Sequence, residues 1–299
     1  MVTSRPTCSP RNVYVDLGVN WCNTLDLFRF APVARDRRGP WLIIGFEAAP
    51  PLLPFVQRCV DALSAGRPLP LAVVPSTGST AELSYWVKRN ANYSHCRDLG
   101  AMKRCVFSDP AMQRKLQALK PDPTLSSNHL VRQRLAMAAR CPTRRDEYFL
   151  VPAAAGAAEG VVKLVGGMEQ MLIGGLQPEE RQHLAYQLHD RPHNDPPPQQ
   201  TWTVPKVDVI SWLRENFREQ DFVALKVDIE GEEHALLSAL LAANSSGLVD
   251  VLLWECHVLP GSKCHTLRRR LSAAGLINYH EPPWCKRQQR SSWECHKLF

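Results

Sequence analysis

The 299-residue chain has no apolar run approaching the ~18–20 residues that cross a bilayer, and its opening Met1-Val2-Thr3-Ser4-Arg5-Pro6 lacks an apolar signal region. The expectation is a soluble protein. Because the first strand pattern begins so close to Met1, an upstream anchor or leader in a longer form of the chain stays open. Among ten cysteines there is no Cys-x-x-Cys, so no common zinc-finger spacing is present. The Gly-x-Gly-x-x-Gly fingerprint of dinucleotide binding is missing too, its places being held by Gly18, Asn20 and Asn23. Basic residues do not gather with aromatic ones. A net charge of +7 scattered through loops and helices argues against a nucleic-acid partner. At 44% hydrophobic, the chain has enough apolar material for a full core.

What is present begins at Val13–Leu25. The alternation Val13, Val15, Leu17 stops at Asp16-x-Gly18-x-Asn20 and gives way to Leu25 and Leu27 at helical spacing, predicting a strand, a tight turn and a helix. Glycine at such a turn permits close backbone approach, and the helix start offers unpaired N–H groups. Asp16 changes the polarity of the place: a carboxylate there repels a pyrophosphate and suits an amine or a sulfonium. An ordinary βα turn explains the same residues. Trp41–Phe46 predicts a second buried strand ending at Glu47, where an acid of this fold class takes ribose hydroxyls. A surface carboxylate at a strand end is the alternative.

Phe222–Val227 predicts a further strand running into Asp228-Ile229-Glu230-Gly231-Glu232-Glu233, followed by a helical run over Ala235–Ala243. Val249–Trp254 predicts its neighbour, with Glu255 and His257 at the carboxyl end. Asp228 and Glu230, alternating along an extended segment, share a side. Such a pair can take a proton from a hydroxyl, bind a divalent cation through oxygen, or cap the next helix. His257 has the residue chemistry for proton removal near neutrality, although a strand-end histidine is often structural.

Four motifs taken together, Asp16-Leu17-Gly18-Val19-Asn20, Phe46-Glu47-Ala48-Ala49-Pro50, Lys226-Val227-Asp228-Ile229-Glu230-Gly231-Glu232-Glu233 and Trp254-Glu255-Cys256-His257, resemble the FkbM-type S-adenosylmethionine-dependent methyltransferases. The resemblance covers about 13–60 and 148–281. It implies a single α/β domain over 1–299, a doubly wound, mostly parallel, Rossmann-like methyltransferase sheet with a large insertion. It further implies transfer of the S-adenosylmethionine methyl group to a hydroxyl oxygen on a sugar or polyketide-like small molecule. Asp16, Gly18, Asn20 and Glu47 would hold the cofactor, and Ala154 and Ala155 would lie under its adenine. Asp228, Glu230, Glu255 and His257 would lie near the acceptor. One departure is Cys22, where the family has a small residue, usually glycine. It keeps open a methyltransferase-fold binding protein without turnover; an NAD-dependent oxidoreductase is the other alternative.

The rest of the chain is read from pattern. Pro50–Leu63 predicts a helix with Pro54 in its first turn, and Leu69–Val74 a strand. The insertion is placed at 75–146, with helices over Ala111–Leu119 and Leu130–Ala139, as a lid on the cofactor face or as surface elaboration. Tyr148–Val151 predicts a return strand leading into an alanine-rich turn, and Val161–Val165 another strand. Gly166–Pro205, with Pro196-Pro197-Pro198, reads as loop and linker, and its histidines have no metal-ligand spacing. Asp208 can cap a helix over Val209–Leu213. Gly275–His280 and Ser291–Leu298 read as closing strands. The cysteines clustered after residue 255 leave zinc, disulfides and reduced packed thiols open. Reduced thiols suit the cytoplasm. Disulfides would place maturation in a secretory lumen and make Asn92-Tyr93-Ser94 and Asn244-Ser245-Ser246 glycosylation acceptors.

Overall fold

The computed structural model describes residues 9–20, 22–28, 32–67, 110, 114, 123–141, 145–167, 170–173, 200–229, 231–255 and 262–280. In chain order the elements are β1 (Asn12–Leu17), α1 (Asn23–Phe28), α2 (Pro32–Asp36), β2 (Trp41–Phe46), α3 (Leu53–Ser64), α4 (Asn128–Ala138), β3 (Glu147–Val151), β4 (Ala154–Gly156), β5 (Gly160–Gly167), β6 (Gln170–Ile173), β7 (Gln200–Asp208), α5 (Val209–Asn216), β8 (Phe222–Val227), α6 (Glu233–Ala242), β9 (Val251–Trp254), α7 (Ser262–Ala273) and β10 (Ile277–His280). The strand predicted at Leu69–Val74, most of the helix predicted at Ala111–Leu119 and the strand predicted at Ser291–Leu298 lie outside the described residues.

The central sheet has six strands in the order β10-β9-β8-β1-β2-β3, every adjacent pair parallel. Counted along the chain within that sheet, this is the doubly wound order, whose winding reverses between β1 and β8. The inner strands β1, β2, β8 and β9 read as largely apolar runs because both their faces are covered. On β1, Val13, Val15 and Leu17 join the core under α5, α6 and α7, while Tyr14 faces the layer containing Leu25 and Phe28 of α1 and Phe55, Val56 and Cys59 of α3. Tyr14 stacks flat on Phe28 at 3.9 Å between ring centroids. Fold and strand pattern thus agree with the sequence expectation of a Rossmann-like α/β sheet. No helix among the described residues is long and apolar enough to cross a membrane.

Two expectations differ from the structure. Gly166–Pro205 is not all loop: β5 extends to Gly167, β6 follows, and β7 begins at Gln200, together with β4 making a second, four-stranded sheet in the order β4-β7-β5-β6. Pro205 hid β7 in the sequence, since proline seldom sits inside a strand; here it stands opposite Val161 in the antiparallel β5–β7 ladder. The alanine-rich stretch is likewise a strand at Ala154–Gly156, parallel to Lys206–Asp208, before the chain bends toward β5. Within the 75–146 stretch, α4 stands close to the helix expected at Leu130–Ala139. Ser127 caps α4 by accepting from the Leu130 N–H at 3.3 Å, and α4 sends Val131 and Ala138 into the main core. This helix therefore covers the sheet. Asp208 caps α5 as anticipated, accepting from the Ser211 N–H at 3.0 Å.

Of the cysteines among the described residues, Cys141 and Cys264 are each disulfide-bonded, whereas Cys22 and Cys59 are buried and form no disulfide.

Candidate functional site

The candidate residues converge at the carboxyl ends of neighbouring strands because the sheet is parallel there. Asp16 of β1 lies opposite Gly45 of β2 and Lys226 of β8 in the strand register. The turn after β1 is fastened from both sides: the N–H groups of Gly18 and Val19 donate to the Phe46 carbonyl at 3.0 Å, and the Asp228 N–H donates to the Leu17 carbonyl at 3.0 Å. Gly18 adopts φ 90, and a Cβ there would run into the Asp228 carbonyl. Its glycine is required by the neighbouring strand end, a reason additional to ligand approach.

Lys226 stands in an otherwise apolar strand and is buried. Its ammonium donates to Asp16 Oδ1 at 3.0 Å, to the Gly18 carbonyl at 3.1 Å and to Asp228 Oδ2 at 3.3 Å. Asp16 is wholly enclosed; its Oδ2 also accepts from the Thr24 hydroxyl of α1 and from the Tyr14 phenol at 3.4 Å. Burial works against the Lys226 charge, but the charges of Asp16 and Asp228 outweigh it and raise the ammonium's pKa. Burial pushes the Asp16 carboxyl above its usual range, with the Lys226 charge and the Thr24 hydroxyl pulling the other way. Two acids share one cation. Asp16 therefore acts through Lys226 and the turn rather than by presenting a free carboxylate to a ligand. Tyr14, Thr24 and Lys226 were not chosen as site residues from sequence, although a lysine inside a buried strand was a readable signal.

Glu47 follows β2 at the rim of the same place. Its Oε2 accepts from the Asn20 N–H at 2.7 Å and its Oε1 from the Ala49 N–H at 2.8 Å, fixing the carboxylate between two loops. Burial raises its pKa to about 7 despite the opposing hydrogen bonds from Ala49 and Asn20. Asn20 itself is exposed at φ 52, a left-handed conformation that asparagine tolerates. Cys22 adopts φ 68, where glycine was expected. Its side chain is buried in the apolar layer shared with Val19 and Leu25, so the sulfur packs into the core of that face.

Asp228 keeps about a fifth of its side chain exposed, and Glu255 begins beside it, its N–H bonded to the Val227 carbonyl at 3.0 Å. Glu230 and His257 lie outside the described residues. Glu233 is fully buried and accepts from the N–H groups of Ile229 at 3.0 Å and Gly231 at 2.9 Å, tying the loop after β8 to the start of α6. In the sequence this acid stood only as the last residue of the Lys226–Glu233 motif, with no site role given to it. Ala154 and Ala155 are buried in strand β4, Ala155 in the main core and Ala154 against Leu164 and Val204. Among the described residues no three His, Cys, Asp or Glu side chains gather as a metal-ion site.

Asp16, Gly18, Asn20, Glu47, Asp228 and Glu255 are thus brought to one end of the sheet, at its winding reversal, where open α/β sheets bind ligands. Among the described residues the arrangement is acidic, with one lysine, turned inward. Comparison of the chain with family models, with curated proteins and with solved structures gives no match.

Proposed function

We propose that the chain is an S-adenosylmethionine-dependent O-methyltransferase whose acceptor is a hydroxyl of a sugar or other small molecule. The observation that carries this reading is the excess of carboxylate at the winding reversal: Asp16, Asp228 and Glu47 surround the Gly18 turn with Lys226 as the cation between the first two. That charge balance repels the pyrophosphate of a dinucleotide and favours a ligand carrying an amine and a sulfonium. The NAD-dependent alternative also lacks its glycine turn, and the non-catalytic binding reading loses part of its motive because Cys22 packs into the core.

Bound S-adenosylmethionine supplies an electrophilic methyl group. The chain's own residues supply placement and proton handling. Glu47, already anchored by Asn20 and Ala49, accepts from the ribose hydroxyls through the lone pairs left on its two oxygens. Asn20, exposed beside it, contributes polar groups to the same rim. Lys226 holds Asp228 in position at the rim, where its carboxylate can receive the acceptor hydroxyl's proton as the new bond forms. Glu255, Glu230 and His257 are the remaining candidates for that proton.

Calorimetric titration with S-adenosylmethionine, S-adenosylhomocysteine and NAD tests the reading. The expected result is micromolar affinity for the first two, none for NAD, and at least tenfold weaker binding in Glu47→Ala. Binding of NAD alone would overturn it. Affinity that persists without methyl transfer to hydroxylated acceptors would favour the binding protein.

A further inference from the structure

We propose that Asn244 is an N-glycosylated residue and that the chain matures in an oxidising secretory lumen. The inference is independent of the methyltransferase reading. It rests on two observations from different parts of the molecule.

The first is the state of the cysteines. Cys141, just beyond α4, and Cys264, on α7, are both disulfide-bonded, while Cys22 and Cys59, buried in the layer with Leu25 and Phe55, form no disulfide. Structural disulfides persist in secretory and extracellular surroundings and are uncommon in reducing ones. Cys141 is exposed and Cys264 is buried in the main core, so a surface and a core position both carry a disulfide, as an oxidising lumen allows. A buried thiol is shielded from oxidants there.

The second is the turn after α6. Asn244-Ser245-Ser246 is an Asn-x-Ser acceptor sequence. Asn244 is exposed at φ 50, and its N–H closes the helix on the Leu241 carbonyl at 3.2 Å. Ser245 is buried, with its hydroxyl on the Ala243 carbonyl at 3.2 Å. The turn therefore presents the asparagine outward while its middle residue anchors the loop. Asparagine also suits a left-handed helix end for purely conformational reasons. That preference explains residue 244 but neither the serine at 246 nor the disulfides.

The place is compatible with a large substituent. α6 leaves the carboxyl end of β8 and returns the chain to the amino end of β9, so Asn244 lies at the end of the sheet opposite Asp16, Glu47 and Asp228. A glycan there covers neither the candidate site nor a strand edge of the central sheet. In the transfer, the Asn244 amide nitrogen attacks the anomeric carbon of a lipid-pyrophosphate-linked oligosaccharide. The N–C bond forms as the C–O bond to pyrophosphate breaks. The pyrophosphate leaves with the electron pair, and the amide gives up one proton to the transferase.

Protein isolated from its own source, digested without reduction and deglycosylated in ¹⁸O-labelled water, provides the test. Asn244 should be recovered as ¹⁸O-labelled aspartate, and Cys141 and Cys264 should resist alkylation until a reductant is added. In the same cells, full-length Asn244→Gln and Ser246→Ala should each lose one glycan increment in gel mobility. Ser245→Ala should keep it, since the middle position excludes only proline. Binding at the candidate site should be unchanged in Asn244→Gln. Recovery of Asn244 as unmodified asparagine in the bulk of the protein, or alkylation of Cys141 and Cys264 without reduction, would overturn the proposal.

Discussion

The same two strands, β1 and β8, carry a buried ion pair at each end, and the two pairs are built oppositely. At the amino end, Arg11 precedes β1 and Asp221 precedes β8. Arg11 donates from its backbone N–H and Nε to Asp221 Oδ1 at 2.9 and 3.2 Å and from Nη2 to Oδ2 at 2.6 Å. The guanidinium also reaches the carbonyls of Ala139 at 3.1 Å and Asn216 at 2.5 Å and lies 4.8 Å from the Phe217 ring centroid. The Arg218 N–H completes Asp221 at 3.0 Å. Burial alone would raise the Asp221 carboxyl, but the Arg11 hydrogen bonds and charge hold it below its usual range. At the carboxyl end the acid is on β1 and the base on β8, one ammonium serves Asp16 and Asp228, and burial leaves both Asp16 and Glu47 raised. A paired, fully bonded acid marks a clamp. An acid raised by burial, with charge in excess around it, marks a place prepared for a cationic ligand, which is why the proposal of a sulfonium cofactor belongs at this end.

The largest expected effect separates the two pairs. Asp221→Ala strands a buried guanidinium that cannot lose its proton, and should cost about 3–5 kcal/mol throughout the pH range above the lowered folded value of Asp221. Lys226→Met strands two acids and should cost about 3 kcal/mol near neutrality. Acids can neutralise, so much of that loss should return as pH falls from neutrality to the ordinary carboxylate range, where the Asp221→Ala loss should still be undiminished because Asp221 titrates lower. Denaturant unfolding of both variants across pH measures the difference. Equal pH responses would show that the two ends do not differ in the way described.

A smaller effect follows from Glu47. Its folded pKa of about 7 lies above the ordinary 4.5, so between those values the folded protein binds more protons than the unfolded one, and stability falls as pH rises. Asp221 has the opposite sign: its contribution is present above the ordinary carboxylate range and is lost as pH falls through its lowered folded value. Thermal unfolding of the intact protein and Glu47→Gln should diverge in slope between pH 4.5 and 7, by up to about 3 kcal/mol above that window. Parallel curves would show that the Glu47 carboxyl is not raised.

The smallest effect should be that of Cys22→Gly. Relief of the left-handed backbone at φ 68 and loss of the buried side chain are each worth about 1 kcal/mol and oppose one another. Stability should change by less than about 1 kcal/mol, with S-adenosylmethionine affinity unaltered. A strong gain in affinity would mean that the sulfur obstructs the site.

The centre of the sheet was legible because a strand buried on both faces must be a largely apolar run, and β1, β2, β8 and β9 are such runs. Of the second sheet only β5 was, at Val161–Val165. β4 is only Ala154–Gly156, and β7 contains Pro205, so neither carries a strand pattern apart from its partners. Asp16, Glu47 and Asp228 were visible as acids at strand ends. Their relations to Lys226, Thr24 and the backbone of Asn20 were invisible, because hydrogen bonds depend on register and on which turn folds back over which strand.

By itself the sequence determined the alternation of buried strands and helices, hence a parallel α/β sheet, and the concentration of acids where those strands end. Hydrophobic periodicity is local, so it can be read without the fold. Only the tertiary structure decided that Arg11 meets Asp221 and Asp16 meets Lys226, partners 210 positions apart. It also decided that one pair is saturated while the other is short of cations. Charge balance in a buried place is a property of all the groups that surround it, and that neighbourhood exists only once β8 has been laid beside β1.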